Sequence, residues 1–220
     1  MNHRTALLLG ATGLVGGHCL NFLLNDESYG RVSVLGRRPL EREHPKLEQH
    51  LVDFDRLEDS AELIRAQDVF CCLGTTIRKA GSQEAFRRVD FEYPLQSARI
   101  AARQETERFL IVTAIGADPG SRIFYNRVKG EVEEAVRALP FESLVILRPS
   151  LLMGEREEMR PGERLAEPAM RALSPLMLGP ARKYRPIEAR KVAAAMVRLA
   201  KEGRQGVRIV ESDEIARIAS

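Results

Sequence analysis

Tyr125 and Lys129 are the side chains of this sequence best suited to acid–base chemistry. They begin and end the segment Tyr-Asn-Arg-Val-Lys, four positions apart. On a helix, residues four apart lie on the same face, so the tyrosine hydroxyl would lie close to the lysine ammonium. A nearby cation stabilises the ionised form of a phenol. We therefore predict that Tyr125 exchanges a proton with a substrate and that Lys129 makes this exchange possible near neutral pH.

Three glycines near the N-terminus could form a phosphate-binding turn. Gly10, Gly13 and Gly16 follow an apolar run and open an apolar helical pattern. Glycine permits positive φ angles and a close approach of ligand to backbone, and a helix start offers free N–H groups to a pyrophosphate. The spacing is G-x-x-G-x-x-G, a relative of the dinucleotide fingerprint G-x-G-x-x-G. We predict a dinucleotide site, with an ordinary glycine-rich turn as the alternative.

Two arginines bear on the choice of dinucleotide. NAD sites usually place an acidic residue about 20 residues after the glycine turn, where it binds the ribose 2′-hydroxyl. This chain has Arg37 and Arg38 there, at the end of the second apolar run. A guanidinium group forms charge-assisted hydrogen bonds with a 2′-phosphate, which a carboxylate would repel. The pair predicts NADP(H), unless both are merely solvated turn residues.

The elements that must position these residues alternate along the chain. Seven apolar runs predict strands at 5–10, 32–35, 47–52, 68–73, 109–113, 144–147 and 207–210. Helical patterns lie between them at 13–24, 57–65, 83–103, 121–138 and 188–201. Strands that alternate with helices indicate right-handed crossovers and a parallel sheet. We predict one α/β domain over residues 1–220, a Rossmann-like doubly wound sheet with helices on both faces.

Residues 154–186 differ from the rest of the chain in composition. They hold five prolines together with several methionines and leucines, and residues 163–173 have a helical pattern. The segment follows the sixth predicted strand, at the sheet edge where ligands bind in such folds. It could be a surface excursion with an apolar stripe toward the core, or a small C-terminal lid over the substrate.

The composition excludes several classes of function. The chain has 220 residues and a net charge of +3. Its share of hydrophobic residues, 44%, is ordinary for a soluble globular protein. Its basic residues are interleaved with acidic ones, which argues against nucleic acid as a partner. The sequence shows neither an 18-residue apolar run nor a leader, so we expect no membrane partner and a cytoplasmic location. The cysteines and histidines lack metal-ligand spacing, and no metal is expected.

Several segments resemble the short-chain dehydrogenase/reductase superfamily in its extended or atypical branch. The sequence is most similar to the Tat-interacting-protein oxidoreductase family and its bacterial relatives. The similarity covers about residues 5 to 155 and rests on Cys71–Thr76, Arg78–Gly81, Val89-Asp90, Ile115–Asp118, Tyr125–Glu131 and Leu147–Pro149. This resemblance implies a Rossmann-like fold, NADP(H) as the cofactor and a Ser/Tyr/Lys reductase mechanism.

The resemblance also completes the set of predicted site residues. Residues Leu73, Gly74 and Thr75 would line the nicotinamide side of the cofactor. The predicted cofactor-binding residues are Gly10, Thr12, Gly13, Leu14, Gly16, Arg37, Arg38, Asp53, Leu73, Gly74, Thr75 and Lys129. The predicted catalytic residues are Tyr125, Lys129 and Thr113.

The chain departs from the family at the end of the fifth strand. The family usually has a serine pair there, and this chain has Thr113-Ala114. Thr113 could donate a hydrogen bond to a substrate carbonyl. If the serine register falls on Ala114, that donor is missing and Thr113 only packs at the strand end.

These features favour an NADPH-dependent oxidoreductase that reduces a small carbonyl substrate by hydride transfer. The alternative is an NADP(H)-binding regulatory or redox-sensing protein with little catalysis. A sugar-nucleotide epimerase fits less well, because the 71 residues after Pro149 leave little room for a substrate domain. The resemblance, and the frequency of two-fold assemblies, make a homodimer the expected assembly.

Overall fold

A parallel sheet forms the frame of the molecule. The computed structural model describes residues 3–154 and 179–220. The strands are β1 (Arg4–Leu9), β2 (Tyr29–Gly36), β3 (Leu47–Leu51), β4 (Asp68–Cys71), β5 (Arg108–Val112), β6 (Ser143–Arg148), β7 (Leu152–Met153), β8 (Ile187–Glu188) and β9 (Gly206–Glu211). Seven of them pair in the order β3-β2-β1-β4-β5-β6-β9, and β7 pairs with β8. The strand order reverses between β1 and β4, which is where doubly wound sheets bind dinucleotides.

Helices cover both faces of this sheet. They are α1 (Leu14–Asn25), α2 (Ile77–Ala80), α3 (Gln83–Arg87), α4 (Tyr93–Arg103), α5 (Phe124–Arg137), α6 (Ala189–Glu202) and α7 (Ser212–Ala219). Short 3-10 segments lie at Phe54–Leu63 and Gly179–Tyr184, and a π-helical turn at Arg88–Glu92 joins α3 to α4. The predicted fold class, a Rossmann-like doubly wound sheet, is confirmed.

The predicted elements agree with the structure in position but differ at two helices. All seven predicted strands are present. The helix predicted over 57–65 is instead the 3-10 segment, in which Arg56 and Ser60 have non-helical dihedral angles. The single helix predicted over 83–103 is interrupted by the π-helical turn. The helix predicted over 163–173, and with it most of the predicted lid, lies outside the described residues.

The apolar core consists of two layers, one on each face of the sheet. In β5, Leu110 and Val112 face the layer that contains α1, α6 and α7. Phe109 and Ile111 face the layer that contains α4 and α5. Burial on both faces is why these strands read as continuous apolar runs. Alternation along the chain then turns Thr113 toward α5.

A network of ion pairs around a buried carboxylate lies at the amino ends of the central strands. Asp68, which is fully buried, accepts hydrogen bonds from Arg4 and from the hydroxyl of Tyr29, both at 2.8 Å. Arg108 donates a third bond to the same carboxylate at 3.1 Å. A buried carboxylate is tolerated when its oxygens are paired in this way. The network ties β1, β2, β4 and β5 together at the amino ends of the strands, away from the predicted site.

Candidate cofactor and catalytic site

The predicted site residues all follow strands of the parallel sheet, so they meet at its carboxyl edge. They come after β1 to β5 in turn: Gly10, then Arg37 and Arg38, then Asp53, then Leu73–Thr75, then Thr113. Helix α5 adds Tyr125 and Lys129 from the segment after β5. The sequence therefore brings its candidate cofactor and catalytic residues to one side of the molecule.

The turn between β1 and α1 requires glycine at two positions. Gly10 has a φ of +84°, and a Cβ there would lie 2.5 Å from the Cys72 carbonyl oxygen at the end of β4. A Cβ on Gly16 would lie 2.0 Å from the Gly10 carbonyl oxygen. The Gly13 N–H donates to that same oxygen at 2.9 Å. The helix is thus drawn close against the strand, as in dinucleotide-binding turns.

The start of α1 presents backbone rather than side chains. Gly13 is its N-cap residue, no side chain caps the helix, and its first turn has no acidic residue. The first N–H groups of a helix lack partners within the helix and carry a partial positive charge. Thr12 is exposed beside them, and Leu14 packs against Gly154. This arrangement suits a pyrophosphate.

Arg37 and Arg38 lie beside this turn, just past the end of β2. Both are exposed, and neither forms an ion pair with any residue in the described ranges. Their guanidinium groups are therefore available to an anion. Asp53, after β3, is also exposed, and one of its oxygens accepts the Asp55 N–H at 2.9 Å. It caps the 3-10 segment, and its cofactor-binding role stays a prediction.

The loop after β4 is fixed by a residue outside the predicted set. The Thr75 N–H donates to Asp90 Oδ2 at 2.8 Å. Leu73 and Thr75 are half-buried, while Gly74 is exposed between them. Asp90, on the π-helical turn, is 1% exposed. The sequence signal for Asp90 is the Val89-Asp90 pair, one of the segments that resemble the family.

Tyr125 and Lys129 share one face of α5, as predicted. The Tyr125 ring is half-buried and packs on Phe86, with ring centroids 5.5 Å apart. The Lys129 side chain is buried, and its Nζ lies 2.7 Å from Asp90 Oδ1. Burial acts to lower the pKa of Lys129, but the Asp90 carboxylate and then Tyr125 outweigh it and raise the pKa above its usual value. The structure therefore places a lysine with a raised pKa beside Tyr125.

Thr113 faces α5, but its hydroxyl already has a partner. Its Oγ1 donates to Glu133 Oε1 at 2.6 Å and lies 3.3 Å from the Leu147 carbonyl oxygen. Glu133 is buried and is also held by Arg148, whose Nε lies 3.0 Å from Oε1. The structure thus places Thr113 in a network with Glu133 and Arg148, and within the described residues its hydroxyl forms no hydrogen bond with Tyr125 or Lys129. Its catalytic role stays a prediction.

Other chemistry is sparse among the residues that the structure describes. No group of three His, Cys, Asp or Glu side chains there is arranged to hold a metal ion. The three cysteines are free thiols, and burial raises the pKa of Cys71 to about 12. In the same residues, no helix combines the length and the apolar character needed to cross a bilayer.

Comparison with solved structures shows how widely this fold is shared. MoeE5 in complex with UDP-glucose and NAD superposes with a TM-score of 0.71 at 16% identity, over 98% of this chain and 80% of that one. A putative NAD-dependent epimerase/dehydratase from Bacillus halodurans gives a TM-score of 0.68 at 16% identity, over 98% of each chain. At this level of identity the likeness concerns the fold.

Sequence comparison identifies closer relatives. Protein HTATIP2 of Rattus norvegicus is 41% identical over 170 residues, which cover 76% of this chain and 70% of that protein. The mitochondrial protein fmp52 of Emericella nidulans is 36% identical over 166 residues, 72% of this chain and 71% of that one. The resemblance to Tat-interacting proteins is thereby confirmed, and the family described as HIM1 matches residues 40–177. This chain belongs to the HIM1 family and is a homologue of HTATIP2.

Proposed function

We propose that this chain is an NADPH-dependent oxidoreductase that reduces a small carbonyl compound. The observation that carries the proposal is the buried Lys129 ammonium, one helical turn from Tyr125 and at the sheet edge that also holds the glycine turn. A buried cation next to a half-exposed phenol is the arrangement expected of a proton-transfer site. MoeE5, whose solved structure holds NAD, shares this fold, which supports a nicotinamide dinucleotide as the cofactor.

The residues present fit a dinucleotide. A Cβ at Gly10 or Gly16 would collide with backbone atoms of the protein, so glycine at both positions lets α1 begin close behind β1. The uncapped start of α1 would hold the pyrophosphate through N–H groups. Arg37 and Arg38 would hold the 2′-phosphate, and Asp53 and the loop at 73–75 would border the two ends of the cofactor. When bound, NADPH supplies a hydride to the carbonyl carbon.

The chain's own residues would manage the proton. The Tyr125 hydroxyl donates its proton to the carbonyl oxygen, and the Lys129 ammonium stabilises the phenolate that remains. Packing on Phe86 keeps the Tyr125 ring in place, and its partial exposure lets it regain a proton from solvent. Thr113 would hold the carbonyl oxygen, which requires its hydroxyl to turn away from Glu133.

Thermal unfolding with NADPH, with NADH and with no nucleotide tests the cofactor assignment. A ligand at 100 times its Kd stabilises the folded chain by about 2.7 kcal/mol, which raises the melting temperature. We expect NADPH to raise it more than NADH at equal concentration. The matched control is the Arg37→Ala/Arg38→Ala variant, whose unliganded melting temperature should stay unchanged because both side chains are exposed and unpaired in the described structure. If neither nucleotide shifts the melting of the wild type, the cofactor assignment is wrong.

One observation favours a second candidate, an NADP(H)-binding regulatory protein with little catalysis. The Thr113 hydroxyl is engaged by Glu133, and the next residue is Ala114, which has no donor. A site that lacks one of its two hydrogen-bond donors to the carbonyl oxygen loses about 10²–10³ in rate. Nucleotide binding without NADPH consumption, over a panel of aldehydes and ketones, would favour the regulator.

Two expectations from the sequence stay predictions about the whole protein. A homodimer is proposed by resemblance, and sedimentation velocity would test it. Fungal relatives carry the word mitochondrial in their names, whereas we keep the cytoplasm as the predicted compartment of this chain. Fractionation of cells that express the full chain would decide between the two.

A further inference from the structure

We infer that Asp90 is the positioning residue of this site: one carboxylate holds Lys129 as a cation and also fastens the loop after β4. The inference rests on the proposed function, in which Lys129 stabilises the Tyr125 phenolate. It adds a residue whose role neither the family resemblance nor the relatives' names state.

The two oxygens of Asp90 reach different parts of the site. Oδ1 lies 2.7 Å from Lys129 Nζ on α5, and Oδ2 accepts the Thr75 N–H at 2.8 Å. The Asp90 and Lys129 side chains are 0% and 5% exposed. One buried group therefore joins a predicted catalytic residue to a predicted cofactor-binding loop. Movement of Asp90 would disturb both at once.

The backbone around Asp90 is built for this contact. Asp90 lies in the π-helical turn at 88–92, and such turns often occur at functional sites. Two neighbouring residues also contact α5: Phe86 packs on Tyr125, and Arg87 forms an ion pair with Glu131. Asp90 pairs with Lys129 and with no other lysine of the described structure.

Among the groups that face Lys129, Asp90 is the one that serves as its counter-ion. Tyr125 faces it from α5, and the Cys71 thiol faces it from β4. Burial raises the pKa of Cys71 to about 12, so this thiol is neutral at physiological pH. A buried lysine without a counter-ion loses its proton far below its usual pKa. The Asp90 carboxylate therefore keeps Lys129 charged, and a neutral Lys129 could not stabilise a Tyr125 phenolate.

Exposed Gly74 lies beside the pair. A Cβ at Gly74 would lie 3.4 Å from Asp90 Oδ1 and 3.7 Å from Lys129 Nζ. Because residue 74 has no side chain, we expect a bound ligand to approach the pair from this side. Asp90 thus holds Lys129 ready at the place where the ligand would contact it.

The test measures the protonation of Lys129 by NMR in protein with isotope-labelled lysine side chains. The chain has six lysines, and the Lys129 signal is identified by its loss in Lys129→Arg. In the wild type we expect Lys129 to keep its proton to a higher pH than the other lysines. In Asp90→Asn its pKa should fall below the wild-type value, because burial remains and the counter-ion is gone. The pH profile of NADPH consumption should then lose its alkaline side at a lower pH.

Glu131→Gln is the matched control. It removes a carboxylate two residues from Lys129, but that carboxylate pairs with Arg87. We expect the Lys129 signal to titrate as in the wild type. The inference is overturned if Asp90→Asn leaves the titration of Lys129 unchanged, or if Glu131→Gln lowers it as much.

Folding and function are kept apart in this design. If Asp90→Asn does not fold, the wild-type titration decides alone, since a wild-type Lys129 that loses its proton at a lower pH than the other lysines contradicts the inference. Asp90→Glu keeps the charge and should keep Lys129 protonated. The titration needs no nucleotide, so a failure of NADPH to bind would reject the proposed function and leave the result for Asp90 standing.

Discussion

At the scale of single residues, the sequence predicts the pair of Tyr125 and Lys129. It does not predict which side chains surround Lys129. The spacing of Tyr125 and Lys129 places them on one face of α5. The sequence alone gives no reason for Asp90 to meet Lys129, since 39 positions separate them and only the packing of the π-helical turn on α5 brings them together. The same holds for Glu133 and Thr113, which meet across α5 and β5.

Tyr125→Phe tests the assigned proton donor. The ring still packs on Phe86, so we expect the fold and the NADPH-induced melting shift to be kept. Turnover should fall about 10²–10⁴-fold, because general acid catalysis contributes that much. The measurements are NADPH consumption and melting with nucleotide, in parallel. A variant with full reductase activity would show that another group supplies the proton.

Thr113→Val tests the residue that departs from the family pattern. It removes a hydroxyl that donates to buried Glu133, and we expect a loss of about 1–3 kcal/mol of stability in urea unfolding. If Thr113 also holds the substrate oxygen, kcat falls about 10²–10³-fold. Thr113→Ser, which restores the hydroxyl, should recover both. We expect both losses, and a loss of stability with unchanged kcat would confine Thr113 to the Glu133 network.

At the scale of elements, the turn between β1 and α1 restricts residue type strongly, because two of its positions have no room for a Cβ. Its glycines let α1 approach the strand and leave the helix start bare. The sequence predicts this element well because its requirement is local. The 3-10 segment and the π-helical turn were not predicted, because both depend on packing that a periodic pattern does not record.

Gly16→Ala tests the turn, with Gly17→Ala as its neighbour and control. A Cβ at Gly16 would lie 2.0 Å from a backbone oxygen, whereas at Gly17 the nearest atom is at 3.5 Å, an ordinary contact. We expect Gly16→Ala to cost about 1–3 kcal/mol and to weaken NADPH binding. Gly17→Ala should be neutral or stabilising by about 0.4–1 kcal/mol. Equal effects of the two on unfolding and binding would mean that the close approach at Gly16 is not required.

At the scale of the whole molecule, the parallel order of the strands makes the site. Strands separated along the chain end at one edge, so the site residues from Gly10 to Lys129 converge although they span more than half of the sequence. Alternating apolar runs were enough to predict all seven strands and the doubly wound sheet. The pairing of buried charges could not be predicted, because ion pairs such as Arg4–Asp68 and Lys129–Asp90 follow from the finished topology.

A crystal structure of the chain grown with NADPH tests the central claim most directly. The account predicts the pyrophosphate at the start of α1, the 2′-phosphate beside Arg37 and Arg38, and the nicotinamide end near Tyr125 and Lys129. A turn at Gly10–Gly16 that stays empty at saturating NADPH, or a dinucleotide bound elsewhere on the molecule, would contradict it.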